Sequence, residues 1–393
     1  MANIITISSS ITPVFNPATE TVIDADFTPV ADLANTNRIN PVISESYEQV
    51  NSLFPTSSWA VNNWDNRTLP WEGLENAVDL SHLVNTDMVW QMSGLNYGFV
   101  QDKLFGFHDI NNANDLRSII VNIATTGIIP DGFLEGIKDT PKIGVFRDDK
   151  PYFLGDGTKR FVPIGNERTR ELCDILYQMG FKYENAGAFD GGKVTYVSMK
   201  WRNGNVAGEE MGYYVVVINS FDGTKPFGVY ITPIRISCKN TMNLAIKKAV
   251  RFWKLRHTTN AHIRLDEVQE GLNLLGNYIG AFEKEVDRMK LLTCDKDKVK
   301  SFIDMLFPIT EDMKPRAISS AENQRAELMY RWEYAPDIVD MEHSAFRFIN
   351  AISDYADHTE PLRKTSTYRE KRFSNNLINN DLLNKAYDMV NSL

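Results

Sequence analysis

The chain has 393 residues, a hydrophobic content of 43% and a formal net charge of −9 at pH 7. This length allows two domains, and the composition is ordinary for a globular protein. The negative net charge argues against a protein whose whole surface binds nucleic acid. The three cysteines are far apart and include no C-x-x-C pair, which argues against a disulfide framework or structural zinc site and favours a reducing compartment.

Residues 1–75 are rich in Asn, Thr, Ser and Pro and are predicted to form an extended arm. The arm contains Trp59, Trp64 and Trp71, and such large side chains are usually buried. We therefore expect it to pack on the main body or on a neighbouring subunit. The N-terminus lacks the basic and apolar regions of a signal peptide, and no apolar run approaches the roughly 20 residues of a membrane span. No membrane association is expected.

Residues 76–264 are predicted to form an α+β core domain. A helix over 80–92 and a strand come first, and a hairpin follows across Arg147-Asp148-Asp149-Lys150. Asn166 is expected to cap a helix over 167–179. An antiparallel meander is then predicted, with strands over 181–189, 193–201 and 212–220 and turns at 190–192 and 203–205.

The stretch Gly212–Thr258 reads as a strand, a turn, a second strand and a basic helix. The second strand, 227–238, contains Pro233, and a proline cannot donate to the ladder, so an edge strand or a bulge is expected there. From Met242 to Trp253 apolar residues recur at helical spacing, which predicts an amphipathic helix capped by Asn240 or Thr241.

The segment from Lys225 to Arg264 contains nine lysines and arginines and no aspartate or glutamate. Such a patch can attract phosphate even on an acidic protein. The alternative is that its charges pair with acidic residues elsewhere in the fold. The predicted nucleic-acid-binding residues are Lys247, Lys248, Arg251, Trp253, Lys254 and Arg256, with the tryptophan or Phe252 as a stacking surface.

Residues 265–393 are predicted to be helical throughout. A long amphipathic helix is expected over 266–292, with apolar residues recurring along one face. Prolines divide the remainder, and shorter helices are predicted over 296–306, 321–334, 340–357 and 379–392.

Two groups of residues invite a catalytic or metal-binding interpretation. Cys238, Asn240 and His257 could form a Cys-His-Asn nucleophile arrangement, although a thiol at the end of an apolar strand is more often a core residue. Asp354 and His358 lie one helical turn apart and could share a metal ion, although a polar residue at a helix C-terminus explains them as well. We favour the structural interpretation for both groups and expect no metal and no cofactor.

Several stretches of the chain resemble segments of a known family and occur in the same order. They are Asn219–Thr224, Thr232–Met242, Arg256–Thr258 and Asn350–His358, followed by Glu370, Arg372 and Phe373. Together they resemble a phage- and plasmid-encoded family that carries a domain of unknown function numbered 932. Members often have histidine where this chain has Phe221 and Glu72. The resemblance implies a mobile-element protein in a bacterial cytoplasm or a virion, and it implies no known reaction.

We expect an α+β fold, in which an antiparallel meander sheet with packed helices is followed by a helical C-terminal region. The predicted function is non-enzymatic: an oligomeric phage or plasmid protein that binds single-stranded DNA, by fold-level analogy with phage annealing and recombination proteins. One alternative is a structural virion or assembly protein whose arm docks on its partners. The other is a metal-dependent hydrolase or nuclease that uses His257, His343 or the Asp354–His358 pair.

Overall fold

The structure is a computed structural model with an α+β fold, as the sequence predicts. It describes residues 67, 69–72, 74, 76–107, 119, 122, 125–129, 137–150, 152–158, 160–237, 239–246, 252–255, 265–361, 364–365, 367–378 and 380–393. The strands are β1 Val78–Asp79, β2 Phe99–Phe107, β3 Ile137–Arg147, β4 Phe153–Thr158, β5 Lys182–Phe189, β6 Val194–Val206, β7 Glu209–Ser220, β8 Phe227–Arg235 and β9 Phe252–Leu255. The helices are α1 Thr86–Met92, α2 Asn166–Gln178, α3 Leu265–Leu291, α4 Lys296–Leu306, α5 Pro315–Tyr334, α6 Ala345–His358, α7 Tyr368–Ile378 and α8 Asp381–Val390.

The strands form two antiparallel sheets. One has six strands in the order β1-β5-β6-β7-β8-β9, and the other has three in the order β2-β3-β4. The meander and the β3–β4 hairpin are confirmed. The predicted turn at 203–205 is wrong, because β6 continues to Val206 and the chain reverses at Ala207 and Gly208, both with positive φ. A two-residue turn of this kind matches the twist of the paired strands.

The expected edge strand or bulge at Pro233 is wrong. Strand β8 is buried along its whole length, lies between β7 and β9, and pairs with β7 through Pro233 without a register shift. The pairing of β8 with β9 ends at Tyr230, so Pro233 lies beyond the paired part of β8 on that side. The backbone of Pro233 instead accepts a hydrogen bond from Met242 N, 2.8 Å away. The missing N–H of the proline is therefore tolerated where the neighbouring strand has ended.

Side chains alternate between the two faces of the larger sheet, and each face is covered. One face packs with the C-terminal helices in a hydrophobic cluster that extends from Leu80 to Val390. The other face carries a smaller cluster in which Trp71 meets Tyr214 and Phe373 meets Tyr196. The domain boundaries at 75/76 and 264/265 stay predictions.

Most predicted helices are confirmed, although most of them begin at a different residue from the predicted one. The α2 helix has Gly165 at its N-cap, so the predicted Asn166 cap is wrong. The side chain of Asn166 instead donates to Tyr97 O (3.2 Å) and accepts from Thr195 Oγ1 (3.3 Å). Helix α7 lies within the region expected to be helical, but the sequence predicts no separate helix over these residues. Among the described residues, no helix combines the length and the apolar composition that crossing a membrane requires.

Candidate functional site

The predicted basic helix is wrong wherever the structure describes it. Residues 242–246 are not helical, and Trp253 and Lys254 belong to strand β9 at the edge of the sheet. Trp253 lies opposite Val229 of β8, so strand pairing overrides the helical spacing of the apolar residues. Lys247, Lys248, Arg251 and Arg256 lie outside the described residues.

The two described residues of the predicted patch differ in environment. Trp253 is half-buried against Gly271 of α3, where an added Cβ would come within 2.8 Å of the indole ring. Lys254 is exposed, and its Nζ lies 5.1 Å from the centre of the Phe252 ring. Among the described residues, no carboxylate forms an ion pair with Lys254. This lysine is therefore available to an anionic partner, whereas the tryptophan is largely committed to packing.

The two longest segments of the resemblance meet at one polar junction. The backbone N–H of Thr241 donates to Asp357 Oδ2 at 2.6 Å, and the Thr241 hydroxyl donates to the same oxygen at 2.8 Å. The hydroxyl of Ser353 donates to the carbonyl of Thr241. Asn376 of α7 donates to Asp357 Oδ1 at 2.7 Å. The segment after β8, the end of α6 and the middle of α7 are thus joined through one carboxylate.

Two of the residues that invite a catalytic or metal-binding interpretation, Asn240 and His358, lie at this junction. Asn240 caps no helix; its side-chain oxygen lies 2.9 Å from Nε2 of His358. Cys238 and His257 lie outside the described residues, so the Cys-His-Asn arrangement stays untested.

Asp354 and His358 share a helix but have different partners. Asp354 lies 2.5 Å from Arg331 and 2.7 Å from Arg67, in a buried ion network. His343 lies before the first residue of α6 and His358 at its last, roughly 20 Å apart at the rise of an α-helix. Among the described residues, no three His, Cys, Asp or Glu side chains are grouped closely enough to hold a metal ion. Asp354 and His358 are thus each bonded to other side chains, and His257 lies outside the described residues.

Burial raises the pKa of the Asp357 carboxyl from 3.8 to about 6, against the hydrogen bonds from Thr241 and Asn376, which lower it. A carboxyl whose pKa is raised on folding stabilises the protein at low pH, and this contribution is lost as the pH rises through about 6. Asp357→Asn keeps the size of the side chain but cannot titrate. We expect the stability advantage of the native protein over this variant to grow by about 1.4 kcal/mol between about pH 7.5 and pH 5.

Urea unfolding at both pH values measures that difference. Asn375→Ala provides the control, because Asn375 is an exposed, non-titrating neighbour of the same site, and its effect should not vary with pH. An advantage of the native protein that shrinks at low pH would show that the carboxylate form is the one favoured by folding.

A groove runs along α7 beside this junction. Its first cleft, of about 490 Å³, lies between the end of α6 and α7 and is lined by Tyr368, Lys371, Arg372 and Asn376 among others. Its second cleft, of about 450 Å³, continues past Asn375 and Asn376, which line both, to Lys225 and the start of α8. We call the two clefts together the α7 groove.

The first cleft combines an aromatic ring with positive charge. The guanidinium groups of Arg369 and Arg372 lie 5.7 and 5.8 Å from the centre of the Tyr368 ring. Lys371 is exposed on the same helix. Burial lowers the pKa of Arg372, and its Nη1 donates to the carbonyl of Thr359 at 3.2 Å. Among the described residues that line this cleft there is no carboxylate, and Glu360 beside it accepts a hydrogen bond from the Tyr368 hydroxyl at 3.2 Å.

A family model described as "Domain of unknown function (DUF932)" matches residues 154–377, which is more than half of the chain. The chain belongs to this family. The match runs from β4 to α7, so the DUF932 region contains the polar junction and the first cleft of the groove. Searches of curated proteins and of solved structures found no match.

Helix α7 is the part of the groove that local sequence patterns do not reveal. The helix buries Glu370, Phe373, Ser374 and Leu377, a spacing of i, i+3, i+4 and i+7. This is the spacing of a helix face, but half of its members are polar and they conceal the periodicity. The resemblance at Glu370, Arg372 and Phe373 falls in this helix and is the sequence signal that pointed to it.

Proposed function

We propose that this DUF932 protein binds single-stranded nucleic acid without catalysing a reaction on it. The proposal includes the context that the resemblance implies, a phage or plasmid protein that acts as an oligomer in the bacterial cytoplasm or in a virion. The predicted residues Lys247, Lys248, Arg251, Lys254 and Arg256 remain part of the proposed interface, and the α7 groove is added to it.

The observation that supports the proposal is the composition of the first cleft. Single strands are bound by cationic groups that contact phosphates and by aromatic rings on which bases stack. Lys371 and Arg372 supply the first kind of group and Tyr368 the second, side by side in a cleft of about 490 Å³. A protein of net charge −9 has to concentrate its positive charge locally if it is to hold a polyanion.

The groove and the β9 edge lie on the same side of the larger sheet. The ring of Phe373 from α7 lies 5.0 Å from Tyr196, and Phe252 of β9 packs 5.8 Å from Tyr230 on that same face. Lys254 lies over Phe252 and so points to this side. A strand bound in the groove could therefore continue towards the basic segment that contains Lys254.

Titration of a labelled oligothymidine at several salt concentrations, followed by fluorescence anisotropy, tests the proposal. Tyr368→Leu removes a stacking surface, and we expect about a tenfold loss of affinity with little change in salt dependence. Lys371→Ala removes one phosphate contact and should lower the slope of log K against log salt by about 0.7. Replacing Lys247, Arg251 and Lys254 together by alanine should lower the slope by about 2.

Lys300→Ala is the matched control, because it removes an exposed lysine from α4, outside the groove. It should leave both affinity and slope unchanged. Absence of oligothymidine binding at low salt would refute the proposed function. Binding that is equal in the native protein, the groove variants and the triple variant would also refute this interface.

A further inference from the structure

The second cleft of the α7 groove contains two hydrogen-bond donors for which the described residues supply no acceptor. Ser374 is 8% exposed and Asn380 is 3% exposed, and both line the cleft. The Ser374 hydroxyl and the Asn380 side-chain nitrogen have no partner among the described residues. Buried donors without acceptors cost free energy, so a ligand that supplied acceptor oxygens here would recover part of that cost.

The orientation of Asn380 is fixed by its role in the helix that follows. Its side-chain oxygen accepts from Leu383 N at 3.1 Å and caps the N-terminus of α8. The amide nitrogen therefore has to be the group turned away from the cap. Because the side-chain oxygen of Asn380 accepts from Leu383 N, the unpaired atom of Asn380 is its nitrogen, a hydrogen-bond donor.

Positive charge and a helix N-terminus lie beside these donors. Lys225 lines the same cleft, and burial lowers the pKa of its amine while Asp222 opposes that effect. The turn that places it is fixed by Asp222 Oδ1, which accepts from Thr224 N at 2.9 Å. The first residues of α8 line the cleft as well, and the N-terminus of a helix favours anions.

We propose that the second cleft is a phosphate subsite, in which Lys225, Ser374 and Asn380 donate to the oxygens of one phosphate group. The inference rests on the proposed function in one respect, since a phosphate of the bound strand is the expected ligand. Ser374 and Asn380 both form part of the cleft wall, and Asn380 keeps its side-chain oxygen on Leu383 N while its amide nitrogen remains the donor.

The carboxylate of Asp381 lines the same cleft and opposes an anion. It lies in the first turn of α8, where a carboxylate is itself favoured by the helix dipole. A phosphate therefore competes with Asp381 for the same positive potential, and Asp381→Asn should tighten phosphate binding about threefold. An increase of affinity is a result that damage to the fold does not produce.

The experiment uses the full chain and two probes, the labelled oligothymidine and thymidine monophosphate. We expect Lys225→Met to weaken binding of both by about tenfold, the effect of losing one charge-assisted hydrogen bond. Ser374→Ala should weaken both about threefold to fivefold. Lys300→Met and Ser301→Ala, on the outer part of α4, are the matched controls.

The outcomes separate this inference from the proposed function. Strand binding that depends on Lys371 but is unchanged by Lys225→Met, Ser374→Ala and Asp381→Asn overturns the subsite and leaves the proposed function standing. Binding of thymidine monophosphate that depends on Lys225, without strand binding, supports the subsite and identifies its ligand as a free nucleotide. If the native protein binds neither probe, both the subsite and the proposed function are overturned.

Discussion

Replacement of Asp354 by alanine should lower the free energy of unfolding by about 3 kcal/mol. The carboxylate is 1% exposed and lies 2.5 Å from Arg331 and 2.7 Å from Arg67. Removing one partner of a buried ion pair leaves the other charge without compensation, at a cost of about 3–5 kcal/mol. We expect the lower end of this range, because Arg331 keeps Glu327 and Arg67 keeps Asp337.

Urea unfolding of Asp354→Ala and of a surface counterpart measures the effect. Glu171→Ala removes a carboxylate that lies 2.6 Å from Arg168, but this pair is 50% and 39% exposed, so its loss should cost about 0–1 kcal/mol. Asp354→Asn should cost less than Asp354→Ala, since the amide oxygen still accepts a hydrogen bond. Equal effects of Asp354→Ala and Glu171→Ala would mean that water reaches the buried network.

The elements that could be predicted from the sequence are those with strong, uninterrupted periodicity. The meander follows from β-branched and aromatic runs divided by glycine-containing turns, and helix α3 follows from the apolar spacing of Leu272, Leu275 and Ile279. In these segments the local pattern and the tertiary packing favour the same structure. The bounds of α3 are close to those predicted, whereas β6 continues to Val206, beyond its predicted end at 201.

The two errors closest to the site have one cause, the competition of tertiary contacts with local pattern. Residues from Met242 to Trp253 have helical spacing, but Trp253 is held in a strand by pairing with β8 and by contact with Gly271. Helix α7 has a polar sequence, and it is held by Phe373 and Leu377 on the sheet face. Neither contact is visible in a local window, because each joins residues far apart in the chain.

The resemblance carried more information about the site than the local chemistry did. It selected the segment 232–242 and the segment 350–358, and these meet at the bond between Thr241 and Asp357. The sequence could not show which partner each polar residue has. Asp354 and His358 look like a pair of ligands in sequence, but Asp354 faces two arginines and His358 faces Asn240.

Arg347→Met should lower the free energy of unfolding by about 3–5 kcal/mol, because this buried guanidinium satisfies several backbone carbonyls at once. Arg347 is 4% exposed, and its nitrogens donate to Trp332 O at 2.8 Å, Met341 O at 2.7 Å and Val339 O at 3.0 Å. Burial lowers its pKa, and no carboxylate of the described residues forms an ion pair with it. Methionine fills a similar volume but leaves the carbonyls without donors.

These carbonyls lie at the end of α5 and in the loop that leads to α6, so Arg347 fixes the direction in which α6 leaves that loop. Helix α6 carries Asp357 and His358 at its far end, and a shift of the helix should therefore reach the polar junction. Arg347→Lys keeps the charge but offers its donors from one nitrogen and cannot span three carbonyls, so we expect an intermediate loss of about 2 kcal/mol. A lysine variant as stable as the native protein would mean that charge alone, without the planar fork of donors, holds α5 and α6 together.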